Sequence, residues 1–149
     1  METRLNLFEK GQNALKPLFS FGSYLKKSPV ADVLELVFFR VSQINGCAYC
    51  LDMHSKDARA KGETEQRLYG ISAWKETPYY TDRERAAFAW AEAVTKCDVP
   101  DEVYAIARQQ FSEEELVDLT VAVTTINTWN RLNLSFPQVA GTYRVGQFG

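Results

Sequence analysis

Two cysteines and the single histidine of the chain lie at helical spacing in its first half. Cys47, Cys50 and His54 are separated by three and four residues, so on a helix all three side chains share one face. Two thiols one turn apart can form a disulfide where the geometry allows it. His54, one turn beyond Cys50, is placed to exchange a proton with the Cys50 sulfur. The spacing therefore predicts a dithiol that can be oxidised and reduced.

A helix is predicted to begin just before Cys47, because Asn45-Gly46 should end the preceding helix. Unpaired backbone N–H groups and the positive end of the helix macrodipole favour an anion at such a start. The reactive form of cysteine is the thiolate, and both helix N-termini and C-x-x-C motifs lower the thiol pKa below about 8.5. The position of the pair therefore favours thiol chemistry.

Zinc binding is the alternative use of the same residues. Structural zinc sites usually have four ligands, whereas Cys47, Cys50 and His54 supply three, with Cys97 as a distant fourth. The three crowd one short helix without a second pair of ligands, so the sequence favours a redox pair over a metal site. Cys97 is expected to be a passive thiol. Tyr49, between the two cysteines, fits packing as well as catalysis.

Glu35 stands on a largely apolar helix, beside Leu34 and Leu36. Burying a lone carboxylate is costly, and burial raises a carboxyl pKa towards neutrality, which suits a general base. The alternative is a solvated residue on the polar face, or an ion-pair partner for Arg40. Periodicity alone leaves these two interpretations equal.

The elements that must position these residues are predicted to be helices, since no segment alternates as a strand would. Ser28-Pro29 is predicted to be an N-cap followed by proline at the first helical position. Apolar residues then recur at helical spacing, at Val30, Val33, Leu34, Val37, Phe38, Val41 and Ile44. A second helix is predicted from Cys47 to Gly62, where glycine can cap the C-terminus.

Later helix starts are marked by two capping boxes, over 81–84 and 112–115. The second box opens a long apolar helix, and shorter helices are predicted over 65–69 and from Pro100 to about Phe111.

The chain is predicted to form one all-α domain, a helical bundle over residues 1–149 with its core at about 28–133. The segment 134–149, which contains Pro137 and three glycines, is predicted to be extended or irregular. Its apolar side chains could pack against its own domain or at a subunit interface.

Composition excludes several classes of protein. Apolar residues make up 46% and charged residues 24% of the chain, a globular balance, and the formal net charge of −2 lacks the basic excess that nucleic acid or an anionic membrane requires. No apolar run approaches the roughly 20 residues that span a bilayer. Residues 1–5 lead into no apolar signal sequence, and three cysteines do not form a secreted disulfide framework. A cytoplasmic protein is expected.

At these residues the sequence resembles the AhpD-like, carboxymuconolactone decarboxylase superfamily of alkylhydroperoxidase-related proteins. The resemblance rests on Glu35, on Cys47-x-x-Cys50 and on His54 at their relative spacing. Further matches extend it over nearly the whole chain: Lys56-Asp57-Ala58-Arg59, Gly62-Glu63, Arg83-Glu84-Arg85-Ala86-Ala87, Val99-Pro100-Asp101-Glu102 and Ile126-Asn127-Thr128-Trp129-Asn130-Arg131-Leu132.

The resemblance implies an all-α fold with the C-x-x-C at a helix start, in a homo-oligomer that is commonly a trimer or hexamer. It implies an antioxidant, peroxiredoxin-type enzyme that reduces hydroperoxides without flavin, haem or metal. Cys50 would attack the peroxide and become a sulfenic acid, and Cys47 would resolve it to a disulfide. Glu35 and His54 would form a proton relay. A lipoyl-type dithiol or a thioredoxin-like protein would then reduce the disulfide.

One departure concerns the residue before the second cysteine, which is a histidine in the well-studied alkylhydroperoxidases and Tyr49 here. A phenol with a pKa near 10 cannot replace imidazole as a base near neutrality, although it can donate a hydrogen bond to a peroxide oxygen. Tyr49 is therefore a possible substrate-site residue.

Two other classes of function use the same sequence features. A general disulfide oxidoreductase or redox sensor would share every residue of the site and differ in its substrate. A non-catalytic assembly protein would use the cysteine pair only to stabilise a helix start. The decarboxylase branch of the superfamily lacks the cysteine pair, so Cys47 and Cys50 argue against lactone chemistry.

Overall fold

The computed structural model describes residues 4–149, and within that range all regular structure is helical, as predicted. The elements are α1 (Leu7–Lys10), α2 (Gln12–Lys26), α3 (Leu34–Asn45), α4 (Ala48–Ala60), α5 (Glu65–Gly70), a 3₁₀ helix (Ile71–Glu76), α6 (Asp82–Thr95), α7 (Asp101–Gln110) and α8 (Glu113–Ser135). None of the helices in this range is both long and apolar enough to cross a bilayer.

Helix α3 is central, since it packs against α4, α6 and α8. Its Val37 and Val41 are fully buried in a core that also contains Ala87 of α6 and Leu119 and Val123 of α8. Burying a Val or Leu side chain contributes about 1.5–3 kcal/mol, so this core fixes α3 against its neighbours.

A second cluster of buried side chains lies on another side of α3, where Leu36 meets Ala58 of α4 and Phe88 of α6. Leu68, Ile71, Trp74 and Tyr80 complete this cluster. Because α3 is covered on both sides, the polar residue at position 35 lies among packed helices and needs partners of its own.

Both predicted capping boxes are present. The Glu84 amide donates to the Thr81 hydroxyl at 3.1 Å, and the Thr81 amide donates to the Glu84 carboxylate at 2.9 Å. Ser112 and Glu115 make the same reciprocal pair at 3.1 and 2.8 Å. Such caps satisfy free backbone donors and contribute about 1 kcal/mol each, so they fix the starts of α6 and α8.

The start of α3 differs from the prediction, which placed it at Ser28-Pro29. Residues 28–33 form turns, and the α-helix begins at Leu34. The Ser28 hydroxyl donates backwards to the Leu25 carbonyl at 2.7 Å instead of capping a following helix. Arg83 of α6 donates to the Pro29 carbonyl at 3.1 Å, a tertiary contact that local periodicity does not reveal.

The segment that follows α8 is irregular, as predicted, and packs on its own chain. Phe148 stacks on Phe8 of α1 with ring centroids 4.9 Å apart, and Tyr143 is buried with 5% of its surface exposed. Phe19 of α2 also contacts the Phe148 ring, and neither α1 nor α2 was predicted from the sequence. A role of the segment at a subunit interface stays a prediction.

Candidate redox site

Cys47 and Cys50 form a disulfide at the start of α4, with their Cα atoms 5.3 Å apart. Cys47 is the N-cap, and its sulfur accepts a hydrogen bond from the Cys50 amide at 3.3 Å. The two residues are buried, with 2% and 0% of their surfaces exposed. The Cys47 sulfur therefore lies at the positive end of the helix, where a thiolate is stabilised when the disulfide is open.

The turn that leads into the disulfide is fixed by its backbone and by helix α8. Gly46 ends α3 with φ of 68°, a left-handed conformation that glycine adopts without strain. The Asn45 amide group donates to the side-chain oxygens of Asn127 and Asn130 at 2.9 and 3.0 Å. Asn130 is fully buried and also donates to the Ser42 hydroxyl at 3.0 Å. This network fixes the end of α3, and with it the turn before Cys47, against α8.

His54 and Glu35 are brought together from α4 and α3. His54 Nδ1 lies 3.1 Å from Glu35 Oε2, and both side chains are largely buried, with 11% and 15% exposed. The other carboxylate oxygen of Glu35 accepts from Lys61 Nζ at 2.8 Å. Arg40, considered as a partner for Glu35, instead donates to Glu92 at 2.9 Å.

The charge state of Glu35 differs from the expectation that burial would bring its pKa near neutrality. Burial does raise the pKa of Glu35, but hydrogen bonds and charge from His54 and then Lys61 outweigh it and lower the pKa from 4.5 to about 2. Glu35 is therefore ionised at neutral pH and can only accept hydrogen bonds. His54 Nδ1 must donate to it, which leaves Nε2 as the ring nitrogen that can exchange a proton.

Asp57 joins this pair from the next turn of α4. One oxygen or nitrogen atom each from Glu35, His54 and Asp57 lie within 4.8 Å of one another, a spacing at which they could converge on a cation. The Lys61 ammonium already donates to the Glu35 carboxylate, and the Tyr143 hydroxyl donates to Asp57 at 2.8 Å. The group is thus built as a network of internal hydrogen bonds and ion pairs. The expectation that the site uses no metal, flavin or haem stays a prediction.

Tyr49 and Cys97 lie in different surroundings. Tyr49 is buried, with 5% of its surface exposed, and burial followed by the charge of Asp52 raises the pKa of its hydroxyl. Cys97 is free and exposed beyond the end of α6, so it belongs to another element than the disulfide.

Lys61, Asp57 and Tyr143 were not singled out as site residues from the sequence. Lys61 and Asp57 follow His54 by seven and three residues, so helical spacing puts both near its face of α4. Tyr143 carries no such signal, because it meets Asp57 across a sequence separation of 86 residues.

Residues 31–93 match the family model described as the carboxymuconolactone decarboxylase family. The uncharacterized protein YdfG of Bacillus subtilis (strain 168) is 40% identical over 139 residues, which are 91% of this chain and 95% of that protein. A crystal structure from Agrobacterium tumefaciens, of a protein of unknown function, superimposes with a TM-score of 0.89 at 38% identity, over 95% of this chain and 100% of that one.

A peroxidase-related protein from a Silicibacter species has a TM-score of 0.77 at 20% identity, over 91% of this chain and 74% of that one. At this identity the similarity shows the fold alone.

Proposed function

Since the chain belongs to the carboxymuconolactone decarboxylase family, we propose that it is a thiol-dependent peroxidase that reduces hydroperoxides through Cys47 and Cys50. The observation that carries the proposal is a disulfide at a helix start, followed one turn later by a histidine that a buried carboxylate holds. The Agrobacterium protein, 38% identical, is described as a candidate antioxidant defence protein of the AhpD type, which is consistent with this chemistry.

Thiol activation is the first step of the proposed cycle. In the reduced protein, His54 Nε2 takes the proton of the Cys50 thiol, while Glu35 holds the Nδ1 proton and stabilises the imidazolium that forms. Because the pKa of Glu35 is about 2, this carboxylate acts by its charge and orientation and does not itself take the proton at neutral pH.

Peroxide reduction follows. The Cys50 thiolate attacks the distal oxygen of the hydroperoxide, an S–O bond forms and the O–O bond breaks. The leaving alkoxide takes a proton from the imidazolium and departs as an alcohol, so the peroxide is reduced and Cys50 becomes a sulfenic acid.

Resolution regenerates the form seen in the structure. The Cys47 sulfur, which the helix start favours as a thiolate, attacks the Cys50 sulfur. The S–S bond forms, the S–O bond of the sulfenic acid breaks, and the hydroxide leaves as water with the proton that the Cys47 thiol released. We propose a lipoyl-type dithiol or a thioredoxin-like protein as the reductant, which returns two electrons and two protons by thiol–disulfide exchange.

The first test is peroxide consumption by the purified protein, with tert-butyl hydroperoxide or hydrogen peroxide and a dithiol reductant. Cys50→Ser should reduce turnover to the uncatalysed background, because the attacking sulfur is gone. Cys97→Ser, which removes the free exposed cysteine, is the matched control and should retain the wild-type rate.

Wild-type turnover in Cys50→Ser would refute the assignment of the attacking thiol. A wild-type protein that consumes no peroxide but exchanges its disulfide readily would instead be a disulfide oxidoreductase or redox sensor.

A further inference from the structure

The imidazole of His54 faces two carboxylates. Glu35 of α3 contacts its Nδ1 side, and an oxygen of Asp57, on the next turn of α4, lies within 4.8 Å of both residues. The ion pairs among residues 4–149 include none to Asp57, in contrast to Glu35, which Lys61 neutralises in part. No cation among the described residues therefore pairs with the Asp57 carboxylate, and the Tyr143 hydroxyl donates to it at 2.8 Å.

The C-terminal segment is bound to the same helix at several points. Lys56 Nζ donates to the carbonyls of Tyr143 and Gly141 at 2.9 and 3.3 Å. The Gly141 amide donates to Asp52 at 2.9 Å, and Asp52 also pairs with Lys56 at 2.9 Å. These contacts fix the backbone at Gly141 and at the Tyr143 carbonyl.

Tyr143 remains a donor over the whole working range of pH. Burial raises the pKa of its hydroxyl, and the adjacent Asp57 carboxylate raises it further, so the phenol stays protonated. A protonated phenol that donates at 2.8 Å fixes the rotamer of the carboxylate that accepts from it.

We propose that Tyr143 is a positioning residue of the redox site, which holds the Asp57 carboxylate towards His54 and so makes the C-terminal segment part of that site. This inference deepens the proposed function, on which its catalytic meaning rests. The charged and titratable groups that face His54 are then Glu35 from α3 and Asp57 from α4. Lys61 donates to the Glu35 carboxylate, and Tyr143 donates to the Asp57 carboxylate.

The test uses the fact that His54 is the only histidine in the chain, so its ring resonances can be followed without ambiguity. The protein is titrated by NMR with the Cys47–Cys50 disulfide closed, so that neither sulfur titrates. Wild type is compared with Asp57→Asn, with Tyr143→Phe and with the double variant. Asparagine keeps an oxygen that accepts from Tyr143, and phenylalanine keeps the ring that packs 5.9 Å from Phe148, so both variants should fold.

Asp57→Asn should move the midpoint of the His54 titration to lower pH, because a negative charge that favours the imidazolium is removed. A unit charge at the observed limit of 4.8 Å gives a shift of about 0.6 pH unit even at the dielectric constant of water. Tyr143→Phe should shift the midpoint in the same direction by a smaller amount, because the freed carboxylate turns towards solvent. The double variant should match Asp57→Asn, since Tyr143 acts through Asp57.

Tyr24→Phe is the matched control, because Tyr24 donates to Asp118 at 2.7 Å in a tyrosine–aspartate bond between α2 and α8. It should leave the midpoint unchanged. An unchanged or raised midpoint in Tyr143→Phe, an unchanged midpoint in Asp57→Asn, or additive shifts in the double variant would overturn the proposal. The titration needs no peroxide, so a protein without peroxidase activity would refute the proposed function and leave this result standing.

Discussion

At the scale of single residues, Glu35 is largely buried and is nevertheless ionised at neutral pH. Its two oxygens are divided between His54 Nδ1 at 3.1 Å and Lys61 Nζ at 2.8 Å. Lys61 is 60% exposed along its side chain, so the ion pair closes the site at the protein surface. The carboxylate is held ionised by these two partners although burial opposes its charge.

The pairing of Glu35 makes the fold sensitive to acid. Its folded pKa of about 2 is below the ordinary 4.5, so the stabilisation is present above pH 4.5 and is lost as the pH falls towards 2. The lost contribution should reach up to about 3 kcal/mol. Urea unfolding of wild type and Glu35→Gln at several pH values measures it: the difference in free energy of unfolding should shrink between pH 4.5 and 2.

A difference between the two proteins that stays constant from pH 7 down to pH 2 would contradict the ionised pair. Glu115→Gln is a useful comparison, because the pKa of Glu115 is also lowered, through the Ser112 backbone first, at the start of α8. Its pH dependence should be weaker, since the Arg83 guanidinium that faces Glu115 also pairs with Asp32.

At the scale of elements, local signals predicted the starts of α4 to α8 and missed those of α1, α2 and α3. Thr81 and Ser112 satisfy backbone donors within their own turns, so the sequence alone predicts both capping boxes. The sequence alone does not predict the start of α3, because Arg83 binds the Pro29 carbonyl from another helix. The C-x-x-C and His54 were predicted from spacing alone, whereas Glu35 was distinguished only by the family resemblance and Tyr143 by neither.

The end of α6 carries backbone strain that can be removed. Cys97 has φ of 57°, and it is the one non-glycine residue with positive φ in the part of the chain that the structure describes. Its amide donates to the Val94 carbonyl at 3.0 Å, a helix ending that normally uses glycine. Cys97→Gly should therefore stabilise the protein by about 0.5–1 kcal/mol in thermal or urea unfolding.

The reverse substitution at Gly62, which follows α4 with φ of 95°, is the control. An added Cβ there meets no atom within 4 Å, so Gly62→Ala should destabilise the protein through backbone strain alone. A destabilised Cys97→Gly protein would mean that the thiol makes a contribution larger than the strain.

At the scale of the whole molecule, α2 and α8 leave an apolar groove open to solvent. Pro17, Phe21, Tyr24 and Val121 line it, and Phe21 and Tyr24 are 48% and 55% exposed. Exposed aromatic side chains in a contiguous patch favour association. The expected homo-oligomer, a trimer or hexamer, is consistent with this face.

A charge placed in the groove should weaken that association. Phe21→Glu should shift the protein to smaller species in sedimentation velocity, because a carboxylate would have to be buried at the contact. Tyr69→Glu, at an aromatic residue of α5 that is 73% exposed, should leave the oligomer unchanged. A wild-type protein that sediments as a monomer at micromolar concentration would contradict the expectation.

The hydrogen bond between Tyr143 and Asp57 also has a consequence for biosynthesis. Translation delivers the disulfide helix first and Tyr143 only 86 residues after Asp57. By the proposal made above, the Asp57 carboxylate can be positioned only when Tyr143 has emerged and docked, after helices α1 to α8 have been synthesised.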